Sequence, residues 1–442
     1  MRPSTNRRRF LQSAAAGAAA LALPGRFARA ASANERVNIA SIGCGGQGWS
    51  DLRQIATNPH ANVVALCNVD SSKAHLGNAA ERFPQARTFA DWRRLLDDLG
   101  QQIDAVHVAT PDHMHAPITV AALELGKHVY CQKPLTHTVT EARRVAEAAR
   151  KAGVATQMGN QIQSHEHYRN AVQMIHGGAV GKVREVISWQ AGRLLWPHAA
   201  DRPGGEDPVP NTVDWNLWLG VAPERPYKQS IYHPFNWRGW QDFGTGQLGD
   251  FGCHILDPVF KALELTAPEM LVAEAPEHNG ESWPGRATVR YEFPATKYTA
   301  GEKLKLTWHH GPGHMPEITA EHGLPEDLDL PGAGSLFIGE SGGLVLHHFG
   351  RPPQLVPEEK FRDYERPNRG SINHYTTWVD ACRGAGETAS HFAYAGPLTE
   401  TVLLGTIALR HPGAEFTWNA SEMRLGGDRA AAALLEKTYR EF

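Results

Sequence analysis

The sequence predicts an α/β protein of two domains, a doubly wound parallel sheet followed by an α+β domain whose open sheet is mostly antiparallel or mixed. Three observations carry this. From Arg36 to about Met158, short apolar runs alternate with helical stretches, as in βαβ units. A glycine-rich turn follows the first apolar run directly. Beyond Gly159 the texture changes, and Val183 to Gln190 alternates with period two, the mark of a strand with one solvated face. A chain of 442 residues, 41% hydrophobic, has material for two cores.

Taken in order, Val37 to Ile42 reads as the first strand, followed by Gly43-Cys44-Gly45-Gly46-Gln47-Gly48 and a helix to about Thr57. Asn62 to Cys67 is the second strand, with a helix over roughly Ser72 to Arg82. Ile103 to Ala109, Val129 to Cys131 and Val154 to Met158 supply further strands, separated by helices over His115 to Leu125 and Thr140 to Lys151. The dinucleotide-binding domain is set at residues 36–160 and the second domain at 161–442. In the latter, helices are expected over Tyr168 to Ile175, Gly246 to Leu263, Ile372 to Cys382 and Pro397 to Ala408. Strands are expected near Ala287 to Phe293, Lys303 to His309 and Leu336 to Ile338, and loops over Pro197 to Pro210 and Glu321 to Gly334.

Residues 1–30 read as a twin-arginine signal peptide. Arg7-Arg8-Arg9-Phe10-Leu11 precedes an alanine-rich apolar run from Ser13 to Leu23, and Ala28-Arg29-Ala30 forms a small-x-small cleavage site. The expected location is therefore the periplasm, with no membrane anchor after cleavage. Charge excludes a nucleic-acid partner, since 44 Lys and Arg stand against 47 Asp and Glu with no basic run past the leader. Five scattered cysteines predict buried thiols and no disulfide framework. Tryptophans crowd between Trp189 and Trp240, as core or as faces for a flat sugar ring.

The glycine turn is a Gly-x-Gly-x-x-Gly fingerprint in its proper setting, after a strand and opening a helix, which predicts a Rossmann crevice for NAD through Gly43, Gly45, Gly46, Gln47 and Gly48. Asp70 follows at about the expected 20 residues. Asn68 stands where an aspartate would best repel a 2′-phosphate, so NADP stays open beside NAD. Lys133 ends an apolar strand just before Pro134, where the chain must leave the sheet and a side chain meets the crevice. Asp250 and His254 share a helix face at a spacing of four, a carboxylate and an imidazole placed for general base chemistry. The adjacent and near-adjacent histidines, such as His347 and His348, do not build a metal shell, and no metal is expected.

Together Ala109-Thr110-Pro111-x-x-x-His115, Gly126-Lys127-His128-Val129-x-Cys131-x-Lys133-Pro134-Leu135, Gly181-Lys182-Val183 and Asp250-x-x-x-His254 resemble the Gfo/Idh/MocA family, the glucose–fructose oxidoreductase and inositol dehydrogenase group. The resemblance implies an N-terminal Rossmann domain, a C-terminal domain often used for forming a homodimer or homotetramer, and oxidation or reduction of a sugar or polyol hydroxyl. It implies Lys133, Asp250 and His254 as catalytic residues, with Asp250 orienting His254 as base. Thr110, Pro111, His115, Gln132 and Asn160 become cofactor contacts. Gln161, Tyr168, Arg193, Trp196, Trp237 and Arg238 are candidate substrate contacts by their placement in the second domain. Where the family usually has Glu-Lys-Pro, this chain has Gln132-Lys133-Pro134, and the charge is missing.

Export adds a constraint, because free NAD(P) is scarce outside the cytoplasm. A cofactor held and recycled in place fits an oxidoreductase with two carbohydrate substrates. It also fits a glycosidase that works by transient oxidation, elimination, hydration and re-reduction, or a binding protein that keeps NAD as a structural part.

Overall fold

The computed structural model describes residues 36–442 except 278, 326, 327 and 350; the signal-peptide reading at residues 1–30 lies outside the described residues. Six parallel strands form the first sheet: β1 (Val37–Ile42), β2 (Ala61–Cys67), β3 (Arg87–Phe89), β4 (Ala105–Val108), β5 (His128–Cys131) and β6 (Thr156–Met158). Their spatial order, β3-β2-β1-β4-β5-β6, reverses direction between β1 and β4, and that switch point opens a crevice at the C-terminal strand ends. Ala105–Val108 is buried at all four positions, as in a strand covered on both faces, and its one polar residue, His107, is hydrogen-bonded to Ser41 Oγ at 2.9 Å.

The helices of this part are α1 (Gly46–Ile55), α2 (Trp92–Leu99), α3 (His115–Glu124) and α4 (Val139–Ala152). Thr138 and Glu141 form a capping box at the start of α4, and Gly153 ends it in the left-handed region with φ 64°. Between β2 and β3 the expected helix is irregular, a π-type turn at Lys73–Gly77 running into a short helix at Asn78–Arg82. β3 and α2 escape a pattern reading because three residues hold too little period to count and α2 is capped by Asp91 within a charged stretch.

The second sheet holds nine strands: β7 (Val183–Gln190), β8 (Met270–Glu274), β9 (Ala287–Pro294), β10 (Lys303–His310), β11 (Ala333–Gly339), β12 (Gly343–His347), β13 (Gln354–Val356), β14 (Glu415–Asn419) and β15 (Arg424–Gly426). The order is β13-β12-β11-β7-β10-β9-β8-β14-β15, with β7 and β10 parallel and the other pairs antiparallel, hence a mixed sheet. The longer helices that accompany it are α5 (Glu166–His176), α6 (Gly246–Ile255), α7 (Asp257–Leu263), α8 (His374–Cys382) and α9 (Phe392–Leu409), with short ones at Trp215–Leu219 and Arg429–Ala432. The single helix expected over Gly246 to Leu263 is two, because Pro258 cannot donate into the turn before it and the axis breaks at Leu256.

Two late segments return to the first sheet. α8 packs on α1 and α9 on α4, where Arg143 forms a two-pronged ion pair with the buried Glu400, Nε to Oε1 at 2.7 Å and Nη2 to Oε2 at 2.9 Å. Ala146 on α4 meets Gly396 on α9, where an added Cβ would lie 3.1 Å from the alanine methyl.

The tryptophan crowd is core. Trp218, Trp237 and Trp240 pack with Tyr232 and Phe243 in one buried cluster. Arg225, 3% exposed, sits among the rings of Tyr232, Trp240 and Phe243 and pairs with Asp242 and Glu281. A guanidinium buried this deeply needs both carboxylates and ring faces, and that demand consumes the aromatic surface read as sugar-facing.

Candidate active site

The glycine turn sits at the switch point. Gly43 has φ +88°, and an added Cβ would strike the carbonyl oxygen of Ala109; one on Gly48 would strike the carbonyl of Gly43. These two glycines serve close packing of β1, α1 and β4. Gly46 and Gln47 are exposed, nothing lies within 4 Å of a Cβ built on Gly46, and α1 begins with no side-chain cap and no acid in its first turn. A helix N-terminus left open in this way is a cradle for pyrophosphate. Beyond it, past the ends of β2 and β3, lies a cavity of about 610 Å³ whose lining includes Asn68, Leu76, Phe89, Val209, Thr212 and Trp215. The residues present fit a dinucleotide, with an open helix N-terminus as phosphate cradle and, at the ends of β2 and β3, a half-apolar recess of adenosine size.

Asp70 borders this recess but is not open. Its carboxylate accepts from Ser72 N at 2.8 Å and from His233 Nε2 at 2.7 Å, and His75 Nε2 lies 3.5 Å away. Burial works against its charge, yet the His233 and Ser72 bonds hold the carboxyl below its usual range. Asn68 spends its Oδ1 on the Asp70 amide at 3.0 Å. Among the described residues Asp70, His75 and His233 form one trio with ligand atoms close enough for a metal. The Trp218 indole N–H donates to His233 Nδ1 at 3.1 Å, so the other ring nitrogen carries the proton that Asp70 receives. A metal at Nε2 would need that proton either removed, leaving an imidazolate, or moved to Nδ1 at the loss of the Trp218 bond, and both argue against one.

At the end of β5, Lys133 Nζ donates to Asp250 Oδ1 at 2.6 Å, and Arg238 Nε reaches the same oxygen at 3.1 Å. Burial opposes the charge on Asp250, but Lys133 and Arg238 draw its carboxyl down to about 2. Below this cluster Asp112 is 3% exposed and accepts from Thr245 N at 3.1 Å and Thr245 Oγ1 at 2.7 Å. Burial lifts its carboxyl to about 7, against the pull of the Thr245 bond and Lys133.

His254 lies one turn after Asp250 on α6, and no side-chain hydrogen bond joins the two. Asp250 therefore does not orient the ring, because Lys133 and Arg238 have already claimed the oxygen that faces them. The Nδ1 of His254 is buried without a partner. Burial, then the Lys133 charge, push its imidazole well below the usual histidine range, so it is a neutral acceptor at neutral pH. His348, 8% exposed at the end of β12, stands with its ring centroid 5.8 Å from that of His254, and its Nε2 also lacks a partner.

Both imidazoles open into a cavity of about 420 Å³. Gln161 and Tyr168 line it too. Gln161 Oε1 is buried without a partner, whereas the Tyr168 hydroxyl donates to Asp257 Oδ1 at 3.1 Å and is not free for a substrate. Asn160 spends its amide on Asp257 Oδ2 at 2.7 Å and keeps an unpartnered Oδ1. Trp196 and Trp237 are buried in packing, Arg193 is exposed, and none of the three lines this cavity. Arg238 acts through Asp250.

Two expected cofactor contacts serve as braces. His115, 1% exposed, gives both ring nitrogens to carbonyls, Pro134 O at 2.7 Å and Thr110 O at 2.8 Å, pinning the two turns that flank the crevice. Gln132 Nε2 donates to Asp51 Oδ2 at 2.5 Å. Asp51, fully buried on α1, also takes bonds from Gln47 Nε2 at 2.7 Å and Tyr375 OH at 3.1 Å. The charge missing from position 132 thus stands on its neighbour. Thr110 Oγ1 remains buried without a partner, and Pro111 is half-buried beside it.

Asp51, Asp112, Asp257, His233 and His348 had no sequence signal of their own, apart from the four-residue step from Gln47 to Asp51 along one helix face.

Comparison with known proteins agrees with this geometry. Residues 37–160 match the oxidoreductase family model for the NAD-binding Rossmann fold, and residues 183–304 match its C-terminal alpha/beta domain. The chain is 28% identical over 200 residues to a levoglucosan dehydrogenase of Pseudarthrobacter phenanthrenivorans, covering 45% of this chain and 41% of the relative. It is 30% identical over 195 residues to a glycosyl hydrolase family 109 protein of Stenotrophomonas maltophilia, covering 42% and 41%. The aligned region thus spans about two fifths of these relatives' length. In fold it is similar to the WlbA dehydrogenase of Bordetella pertussis, solved with NADH and UDP-GlcNAcA, with TM-score 0.60, 17% identity, and 87% and 99% of the two chains covered. With a Rossmann domain and a C-terminal domain that both match, the chain belongs to the Gfo/Idh/MocA oxidoreductase family.

Proposed function

We propose that this protein oxidises or reduces a hydroxyl of a sugar, glycoside or polyol, using NAD held in the Rossmann crevice and recycled in place. The observation that carries the reading is one juxtaposition. The Lys133 ammonium and the unpartnered, neutral His254 Nδ1 stand together where β5 opens into the crevice, beside a cavity of sugar size. Bound NAD would supply the hydride acceptor. His254 takes the proton of the substrate hydroxyl at Nδ1, and Lys133 donates a hydrogen bond to the oxygen as negative charge develops there. Asp250, held ionised by Arg238, fixes the lysine.

Retention of the nucleotide is supported by a strap. The segment after β7 crosses the adenosine recess, with Ser71 N bonded to Thr212 O at 2.8 Å, Asp214 N to Val69 O at 2.8 Å, and His233 to Asp70. Release of the nucleotide requires these bonds to open.

Mass spectrometry of the small molecule carried by gently purified protein tests the cofactor reading, NAD against NADP. Incubation with a sugar and a second carbonyl sugar should give a lactone or keto-sugar with a reduced partner. Similarity to the family 109 protein favours a second reading, an NAD-dependent glycosidase. Release of the leaving group from an aryl glycoside, with no net redox product, selects it. Twin-arginine export to the periplasm and a homodimer or homotetramer complete the proposal, checked by fractionation of the producing cell and by sedimentation.

A further inference from the structure

The cavity beside His254 has a chemical character that the proposed activity does not dictate. None of the described residues lining it is Lys, Arg, Asp or Glu. Its polar groups are amides, hydroxyls and imidazoles, and the buried imidazoles of His254, His348 and His374 are held neutral. His374 is fixed as one neutral tautomer, its Nε2 donating to Met158 O at 2.9 Å while Nδ1 accepts from Ser164 Oγ at 2.9 Å. Burial lowers both His374 and His348 to about 4, with Lys133 adding to the effect at His348. An anionic group entering here meets no cation among the lining residues, and Lys133 beside it is already paired with Asp250, so the anion's charge is buried without a partner of its own.

The mouth of the same cavity is apolar and open. Phe349 is 69% exposed and Ile372 is 40% exposed, both among the lining residues, which also include the buried Leu346. Two large apolar side chains left in water at the rim of a neutral polar pocket are matched by a ligand whose outer end is apolar.

From these two features we infer that the site takes an uncharged glycoside, its sugar ring against His254 and His348 and an apolar aglycone against Phe349 and Ile372, and that it rejects phosphorylated, nucleotide-linked and uronate sugars. This rests on the oxidoreductase reading only for which sugar atom reacts; the binding preference is independent of it.

The test is calorimetric titration of the nucleotide-loaded protein with matched sets in the gluco, galacto and N-acetyl series. Each set holds the phenyl glycoside, the methyl glycoside, the 6-phosphate and the uronate, and absorbance of the bound nicotinamide is followed in parallel. In the series that binds, the phenyl glycoside should bind about tenfold tighter than the methyl glycoside, and either anion about a hundredfold weaker. Phe349→Ala and Ile372→Ser should erase the phenyl preference while leaving methyl glycoside binding unchanged. Equal binding of the anions, or a phenyl preference that survives both substitutions, overturns the inference. Should the preferences hold while no sugar alters the nicotinamide absorbance, the inference stands and the oxidoreductase reading falls. If no sugar binds in any series, both fall.

Discussion

Gln132→Glu tests whether the negative charge of the Lys-Pro motif has moved to Asp51. The substitution sets a second carboxylate against one that is fully buried, replacing a bond of 2.5 Å that is now amide to carboxylate. Two like charges about 3 Å apart repel by about 5 kcal/mol at an effective dielectric of about 20. A shared proton relieves this, so the loss is capped at about 1.4 kcal/mol for each pH unit above the free carboxylate value, roughly 5 kcal/mol near pH 8 and roughly 1 near pH 5. The sign follows from proton binding. The folded variant holds a proton that the unfolded chain has lost, so its stability falls as pH rises from about 4 through the raised value of the pair. Adding Asp51→Asn restores a donor and acceptor pair, since the new side-chain oxygen at position 51 can keep the bonds from Gln47 and Tyr375 while its amide nitrogen faces the carboxylate introduced at position 132. Urea unfolding of wild type, both single variants and the double variant at the two pH values reads this out. Wild-type stability of Gln132→Glu near pH 8, or no recovery in the double variant, refutes the reasoning.

Four further outcomes follow from the same geometry. Lys133→Met and His254→Asn should each lower kcat by about 10² to 10⁴ with the nucleotide still bound, measured by turnover and by mass of the retained cofactor. Because burial keeps His254 neutral well below the ordinary histidine value, wild-type kcat/KM should not fall on its account between neutral pH and about pH 6. Asp112→Asn keeps an acceptor for both Thr245 bonds and removes a buried acid lifted to about 7. The native protein binds that proton between about pH 4 and 7 where the unfolded chain does not, so the variant's advantage should grow over that range and level off above it, reaching about 1 to 4 kcal/mol in thermal unfolding. His233→Ala should loosen the strap and raise the rate of nucleotide loss about tenfold or more in dialysis, with the fold intact by circular dichroism.

Much of the fold was legible because it is written locally. Parallel strands buried on both faces announce themselves as apolar runs, and Gly43 to Gly48 need their glycines where backbone meets backbone. Lys133, Asp250 and His254 could be singled out from spacing and position, and they do gather. Contacts across the chain were not legible. Asp51 beneath Gln132, Asp257 holding Asn160 and Tyr168, and His348 facing His254 are partners about 80 to 100 positions apart in sequence, and no local pattern records such a pairing. For the tryptophans the local pattern left core and sugar-facing surface both open, and the contact that places Trp240 in the core is with the distant Arg225. A functional residue was thus recognisable when its chain neighbours placed it, and misread when a distant carboxylate had already taken its polar atoms.

Helix α9 carries a consequence for how the chain could leave a cell. Its 18 residues are long and apolar enough to cross a bilayer by length and composition, yet 83% of that stretch is buried inside the fold against α4 and its surroundings. A translocon that threads unfolded chains would meet Phe392–Leu409 as an apolar stretch whose one charge is Glu400, without the fold that covers it. A carrier that moves finished proteins never sees it. If the chain leaves the cytoplasm by the twin-arginine route proposed above, the burial of this segment fits a carrier that moves finished proteins.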